Sequence, residues 1–116
     1  MSEIRILDGG MSRELIRLGA ELRQPEWSAL ALMENPDIVR QVHTEFIDAG
    51  ADVVTTNSYA LVPFHIGEER FQSQGPALIA LAGKLAREAA DARSDRKVLV
   101  AGSLPPIFGS YEPERF

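Results

Sequence analysis

Cysteine is absent from this chain of 116 residues, which excludes disulfide cross-links, a thiol nucleophile and a thiolate metal site together. Histidine is scarce: the two copies, His43 and His65, are too few to complete the usual four-coordinate zinc sphere. Positive charge is also short, with 12 basic against 17 acidic residues and a formal net charge of −5. That balance repels phosphate backbones and anionic lipid, so neither nucleic acid nor membrane is an expected partner. No apolar run approaches the roughly 20 residues that span a bilayer. The opening Met1-Ser2-Glu3-Ile4-Arg5 has no basic segment leading into an apolar one, so no secretory leader is expected and the cytoplasm is the default location. Seven prolines and nine glycines are scattered rather than clustered, and neither a low-complexity tract nor a short repeat is found, which argues for an ordinary folded domain.

What is present alternates between two periodicities. Ile4-Arg5-Ile6-Leu7 is β-prone and stops at Asp8-Gly9-Gly10, as a strand entering a loop does. A short helix is predicted over 12–18, with Leu15 and Leu18 on one face and Gly19 as its stop. Residues 20–34, which include Pro25 and Trp27, read as a loop with a helical turn near 29–33. Asn35, Pro36 and Asp37 then supply a cap, a first-turn proline and an acid for the positive end of the dipole. Ile38, Val42 and Phe46 recur every four residues, widened by Val39 and Ile47, so a helix is predicted over 35–49, ended by Gly50. The β-branched run Val53-Val54-Thr55-Thr56 marks a second strand near 52–57. Gly75-Pro76 opens a helix to about 93, with Leu78, Ala82, Leu85 and Ala89 sharing a face, and Val98-Leu99-Val100-Ala101 lies in a third strand near 97–102.

Strands near 4–8, 52–57 and 97–102 with helical crossovers between them predict an α/β fold, a parallel βαβαβ segment. Their unbroken apolar runs predict cover on both faces. Three parallel strands close no barrel and leave open edges, so residues 1–116 read as an incomplete, truncated domain with self-association through those edges as an expected mode of partnership.

In parallel α/β folds, ligands sit at the carboxyl ends of strands. Three loops occupy such ends here: Asp8-Gly9-Gly10-Met11, Thr56-Asn57-Ser58-Tyr59 and Gly102-Ser103-Leu104-Pro105-Pro106. Asp8 suits an ammonium group, and glycines beside a helix start let backbone N–H groups approach a carboxylate. An amino acid zwitterion satisfies both halves. Each motif also has a plain structural reading. Asp-Gly-Gly is commonly just a turn, and it matches neither a dinucleotide fingerprint nor a P-loop. Thr56-Asn57-Ser58 can end a strand by local bonds to the backbone. A tryptophan such as Trp27 is more often a core or lid residue than a ligand contact. His43, inside the predicted helix, reads as solvated; His65, in a predicted loop over 63–67, lies nearer the ligand side but reads as structural or exposed; Glu68-Glu69-Arg70 reads as a solvated charge run.

In their order along the chain, Ile6-Leu7-Asp8-Gly9-Gly10-Met11, Trp27-Ser28-Ala29, Asn35-Pro36, His43-Thr44-Glu45-Phe46-Ile47-Asp48-Ala49-Gly50-Ala51-Asp52, Thr56-Asn57-Ser58-Tyr59 and Ala101-Gly102-Ser103 closely resemble the opening of the homocysteine S-methyltransferase family. The resemblance implies the N-terminal part of a (β/α)8 TIM barrel. It also implies methyl transfer from a sulfonium, ammonium or methylated-cofactor donor to the homocysteine thiol, giving methionine. Asp8 would then meet the homocysteine ammonium, with Gly9, Gly10 and the next amide near its carboxylate. Thr56 and Asn57 would line the same mouth, and Tyr59 and Trp27 would shape the donor side. The family activates the thiol with zinc held by cysteines later in the barrel. This chain has no cysteine, so it names no metal ligand and is expected to be inactive alone. Two other readings stand beside this one: a non-catalytic module that pairs its sheet edges, and another α/β-barrel enzyme acting on small anions. A Schiff-base version of the latter is disfavoured, because Lys84 and Lys97 fall on a helix and at a strand start.

Overall fold

The computed structural model describes residues 4–105. Pro106 and residues 111–116, which the sequence reading places in the third loop and the closing segment, lie outside them. Seven elements follow in chain order: α1 (Met11–Arg17), α2 (Ser28–Glu34), α3 (Pro36–Asp48), β1 (Val53–Thr55), α4 (Pro63–Ile66), α5 (Glu68–Asp91) and β2 (Leu99–Ala101). None is long and apolar enough to cross a membrane.

The sheet is parallel. Val53, Val54 and Thr55 of β1 stand opposite Leu99, Val100 and Ala101 of β2. The first predicted strand is reduced to a single parallel bridge between Leu7 and Val53. Around it the Asp52 amide donates to the Ile6 carbonyl (2.7 Å) and the Asp8 amide to the Val53 carbonyl (3.0 Å). The segment therefore runs alongside β1, but as described it is too short for a full ladder. Cover on both faces is not met either: Val54 is buried against helices, while Ile4, Ile6 and Leu7 are 88%, 58% and 66% exposed. Beneath Val54 lie Ile47, Ala86, Ala89, Ala90 and Val98. Alanines on α5 let that helix approach the sheet closely.

A larger core joins the helices to one another, through Leu15, Leu32, Val39, Val42, Leu78, Ala82 and Leu85. Leu15 and Leu32 are fully buried, each worth roughly 1.5–3 kcal/mol relative to exposure. Helix α3 departs from its predicted stripe in an instructive way. Asn35 precedes it as predicted but makes no side-chain capping bond, and Phe46 is only partly buried against the core. The buried ridge is Val39, His43 and Ile47, with Val42 beside it. His43 is thus not solvated: it is wholly enclosed.

Helix α5 begins at Glu68, seven residues before the predicted start, and runs through Pro76 without a break. Glu68 and Glu69 are its first turn, favourably placed at the positive end of the dipole. The break predicted at Gly75-Pro76 occurs instead at Gly67, whose φ of +90° favours glycine. At the end of the sheet away from the three loops, Arg96 gathers the chain. Its guanidinium donates to the carbonyls of Ile47 (2.7 Å) and Ala51 (2.9 Å) and to Asp52 Oδ1 (3.3 Å), while Asp52 Oδ2 accepts the Ile6 amide (2.9 Å).

Candidate functional site

The loops that follow the first segment, β1 and β2 meet at one end of the sheet. Asp8, Gly9, Gly10, Thr56, Asn57 and Tyr59 line one cleft of about 430 Å³, together with Ser12, Arg13, Ser28 and Ser103. Asp8 is fixed there by Thr55, whose amide donates to Oδ2 (2.8 Å) and whose hydroxyl donates to Oδ1 (3.1 Å). A carboxylate has more lone-pair positions than these two bonds use, so Asp8 keeps accepting capacity toward the cleft. Gly9 is where Phe46 of α3 packs against the backbone: a Cβ would lie 3.1 Å from its ring. That contact alone accounts for glycine at position 9. Gly10 immediately precedes α1, and the first amides of a helix lack intrahelical partners.

Thr56 and Asn57 reach the cleft but are largely committed to holding it together. Thr56 Oγ1 accepts the Ser103 amide (3.2 Å) and shares a hydrogen bond with Ser58 Oγ (2.8 Å). Ser58 Oγ in turn donates to the Ser103 carbonyl (3.3 Å). These hydroxyls tie the loop after β1 to the loop after β2. The buried Asn57 amide donates to the Ser28 carbonyl (3.1 Å), anchoring the start of α2 across 29 positions of sequence.

A second cleft of about 570 Å³ adjoins the first, sharing Ser12, Ser28 and Tyr59, and adds Gln24, Trp27, Phe64 and His65. Trp27 is set apart from the Asp8 cleft and belongs to this one, with its side chain partly open to solvent. Its backbone has φ 50° and ψ −126°, a conformation that L residues avoid, at a cost of roughly 1–3 kcal/mol. His65 is buried rather than exposed. Its Nδ1 lies 2.9 Å from the Pro25 carbonyl; a carbonyl only accepts, so Nδ1 carries the proton. Phe64 meets the imidazole edge-on, with ring centroids 5.0 Å apart, and Tyr59 lies 6.4 Å away, tilted. Ser12, Ser28, Phe64 and His65 are lining residues that sequence reasoning did not select. The last two lie where a loop over 63–67 is predicted on the ligand side; the structure has a helical turn there, α4, opened by Pro63.

Below the first cleft lies His43. Neither ring nitrogen has a hydrogen-bond partner among the described residues. Burial holds its pKa below the ordinary value of 6.5, and the carboxylate of Asp8 opposes that shift only in part. As for a metal, no group of three or more His, Cys, Asp or Glu side chains among the described residues is arranged to hold one. With no cysteine in the chain, this donor set does not fit the zinc that the sequence resemblance implies.

Comparison with known proteins returns one answer at the level of sequence and of structure. A family model described as homocysteine S-methyltransferase matches residues 5–114. Homocysteine S-methyltransferase of Escherichia coli strain K12 is 37% identical over 115 residues, covering 94% of this chain and 37% of that protein. Homocysteine S-methyltransferase 1 of Brassica oleracea var. italica is 36% identical over 98 residues, covering 84% of this chain and 30% of that one. The metallated crystal form of the homocysteine methyltransferase MmuM from Escherichia coli superposes with a TM-score of 0.79 at 36% identity, over 95% of this chain and 40% of that one. The chain spans well under half the length of these relatives.

Proposed function

The chain belongs to the homocysteine S-methyltransferase family, and on that premise we propose that its two clefts are the amino-acid side and the methyl-donor side of a homocysteine methyl-transfer site. The carrying observation is their adjacency: a cleft with a carboxylate and glycine backbone shares a wall with one lined by Trp27, Tyr59 and Phe64. Homocysteine presents an ammonium for Asp8 and a carboxylate for the amides around Gly9, Gly10 and Met11. The sulfonium or quaternary ammonium centre of a donor carries charge but no N–H or O–H, so aromatic faces are the groups suited to hold that centre. In the transfer, a sulfur–methyl bond forms as the methyl–donor bond breaks; the donor leaves neutral and the thiol proton passes to solvent. The residues of this chain contribute binding and orientation to that step. In our reading they form the first βα units of a (β/α)8 barrel, and no step is assigned here to zinc.

Asp8→Asn tests this. Asparagine retains a carbonyl for the Thr55 amide, so the fold should persist, while the charge that meets the ammonium is lost. In ¹H–¹⁵N NMR titrations with homocysteine, the Gly9, Gly10 and Met11 amides should shift in the wild type. The variant should need about tenfold more ligand, the low end of what a charge-assisted hydrogen bond contributes. Identical titrations for the two proteins would overturn the role of Asp8.

A further inference from the structure

Trp27 sits between two long-range side-chain bonds. One residue after it, the Ser28 carbonyl accepts from Asn57; two residues before it, the Pro25 carbonyl accepts from His65 Nδ1. Both donors are buried, at 4% and 5% exposure, where a lost partner is costly to leave unmade. They come from different places, Asn57 from the loop after β1 and His65 from α4. Between these fixed points the Trp27 backbone holds its disfavoured φ of 50°. Such strain persists only where the surroundings over-determine it. The Arg23 carbonyl also accepts the Trp27 amide, at 2.8 Å, which is a local turn bond and sets no direction toward the cleft.

We propose that His65 and Asn57 are positioning residues: together they clamp the turn 25–28 so that the Trp27 indole stands on the wall of the aromatic cleft, and thereby set affinity for a methylated cation. The inference rests on the donor-side reading given above and adds to it residues that touch no reacting atom. His65 does so from the cleft wall itself, where its ring also meets Phe64 and lies near Tyr59, so one imidazole is linked to two further aromatic residues of the cleft. Imidazole chemistry is not used; only a donor at the Nδ1 position is.

Trp27 is the only tryptophan in the chain, so its emission reports on the clamp directly. Asparagine places an amide N–H where Nδ1–H stands, whereas glutamine places it near Nε2. In the 116-residue chain, His65→Asn should keep the wild-type emission maximum and acrylamide quenching, while His65→Gln and Asn57→Ala should shift emission to the red and raise quenching. Val98→Ala, a change in the smaller core that contains no residue of α2, serves as a control for general loosening and should not move either signal. Trimethylsulfonium is the probe for the cleft. It should quench Trp27 saturably in the wild type, with affinity about fivefold weaker in His65→Gln, the equivalent of one exposed cation–π contact. If His65→Gln and His65→Asn both leave Trp27 emission and quenching as in the wild type, or if Val98→Ala changes them equally, the clamp is wrong. If the two His65 variants differ as expected but trimethylsulfonium never saturates, the clamp stands and the donor-side reading fails.

Discussion

The residues at the cleft divide into those with polar groups left open to it and those that hold the others in place, and His43, beneath it, belongs to neither group. It occupies the middle of the buried ridge of α3 with both nitrogens unpartnered among the described residues, which at a buried site costs about 1–3 kcal/mol. Its depressed pKa gives stability a definite pH dependence. As pH falls through the unfolded value near 6.5, the unfolded chain takes up a proton that the folded one refuses. The contribution is therefore complete above that pH, declines below it, and levels off only beneath the lower folded value, at a slope of at most about 1.4 kcal/mol per pH unit. We expect His43→Leu to be at least as stable as the wild type near neutrality, and urea midpoints between about pH 7 and about pH 5.5 to fall less in the variant. Parallel pH profiles would show that His43 does not titrate in this way. None of this was legible in the sequence: His43 reads as a polar helical residue, and its burial follows only from helices packing on both sides of α3. The same holds for the clamps on Trp27. Asp8 and the glycines could be placed from local signals because strand ends announce themselves. Bonds from Asn57 and His65 to carbonyls 29 and 40 residues away leave no local trace.

Among the elements, α3 was readable nearly to the residue, because a first-turn proline and a terminal glycine bracket a periodic run. Helix α5 was not, and the reason is chemical. Gly75-Pro76 has the form of a helix boundary, since proline lacks an N–H and crowds the residue before it. Here that residue has no Cβ, so the α conformation is tolerated, and the Phe71 ring lies over the vacant side at 3.1 Å from where a Cβ would be. The missing backbone hydrogen bond is still a loss. Pro76 is exposed and replaceable, so Pro76→Ala should stabilise the chain by roughly 1–3 kcal/mol, measured by urea unfolding. A midpoint unchanged or lowered would mean that the proline relieves some strain in α5. The first strand is shorter than its propensity predicts. Its residues are β-prone and β1 lies beside them, yet the described residues form only a single bridge, Leu7 to Val53, because propensity does not set how far a ladder extends.

At the scale of the molecule, the family, the parallel pairing and the end of the sheet where the loops meet are legible together because their motifs lie in one order along the chain. The metal reading is a different matter: thiol activation at zinc requires a ligand set with one open position, and this polypeptide offers no cysteine toward it. Purified by itself, the chain should contain no stoichiometric zinc by elemental analysis and form no methionine from S-methylmethionine or betaine. It should also elute larger than its 12.7 kDa, since Ile4, Ile6 and Leu7 are exposed beside a sheet edge. Zinc-bound, monomeric turnover would refute that picture. The sheet itself is fastened differently at its two ends: by Arg96 and Asp52 at one, by the hydroxyls of Thr56 and Ser58 at the other. Added salt screens the partly exposed charges and leaves neutral hydroxyl bonds nearly untouched. Ionic strength is thus a handle on only half of this structure, loosening the floor while the rim keeps its shape.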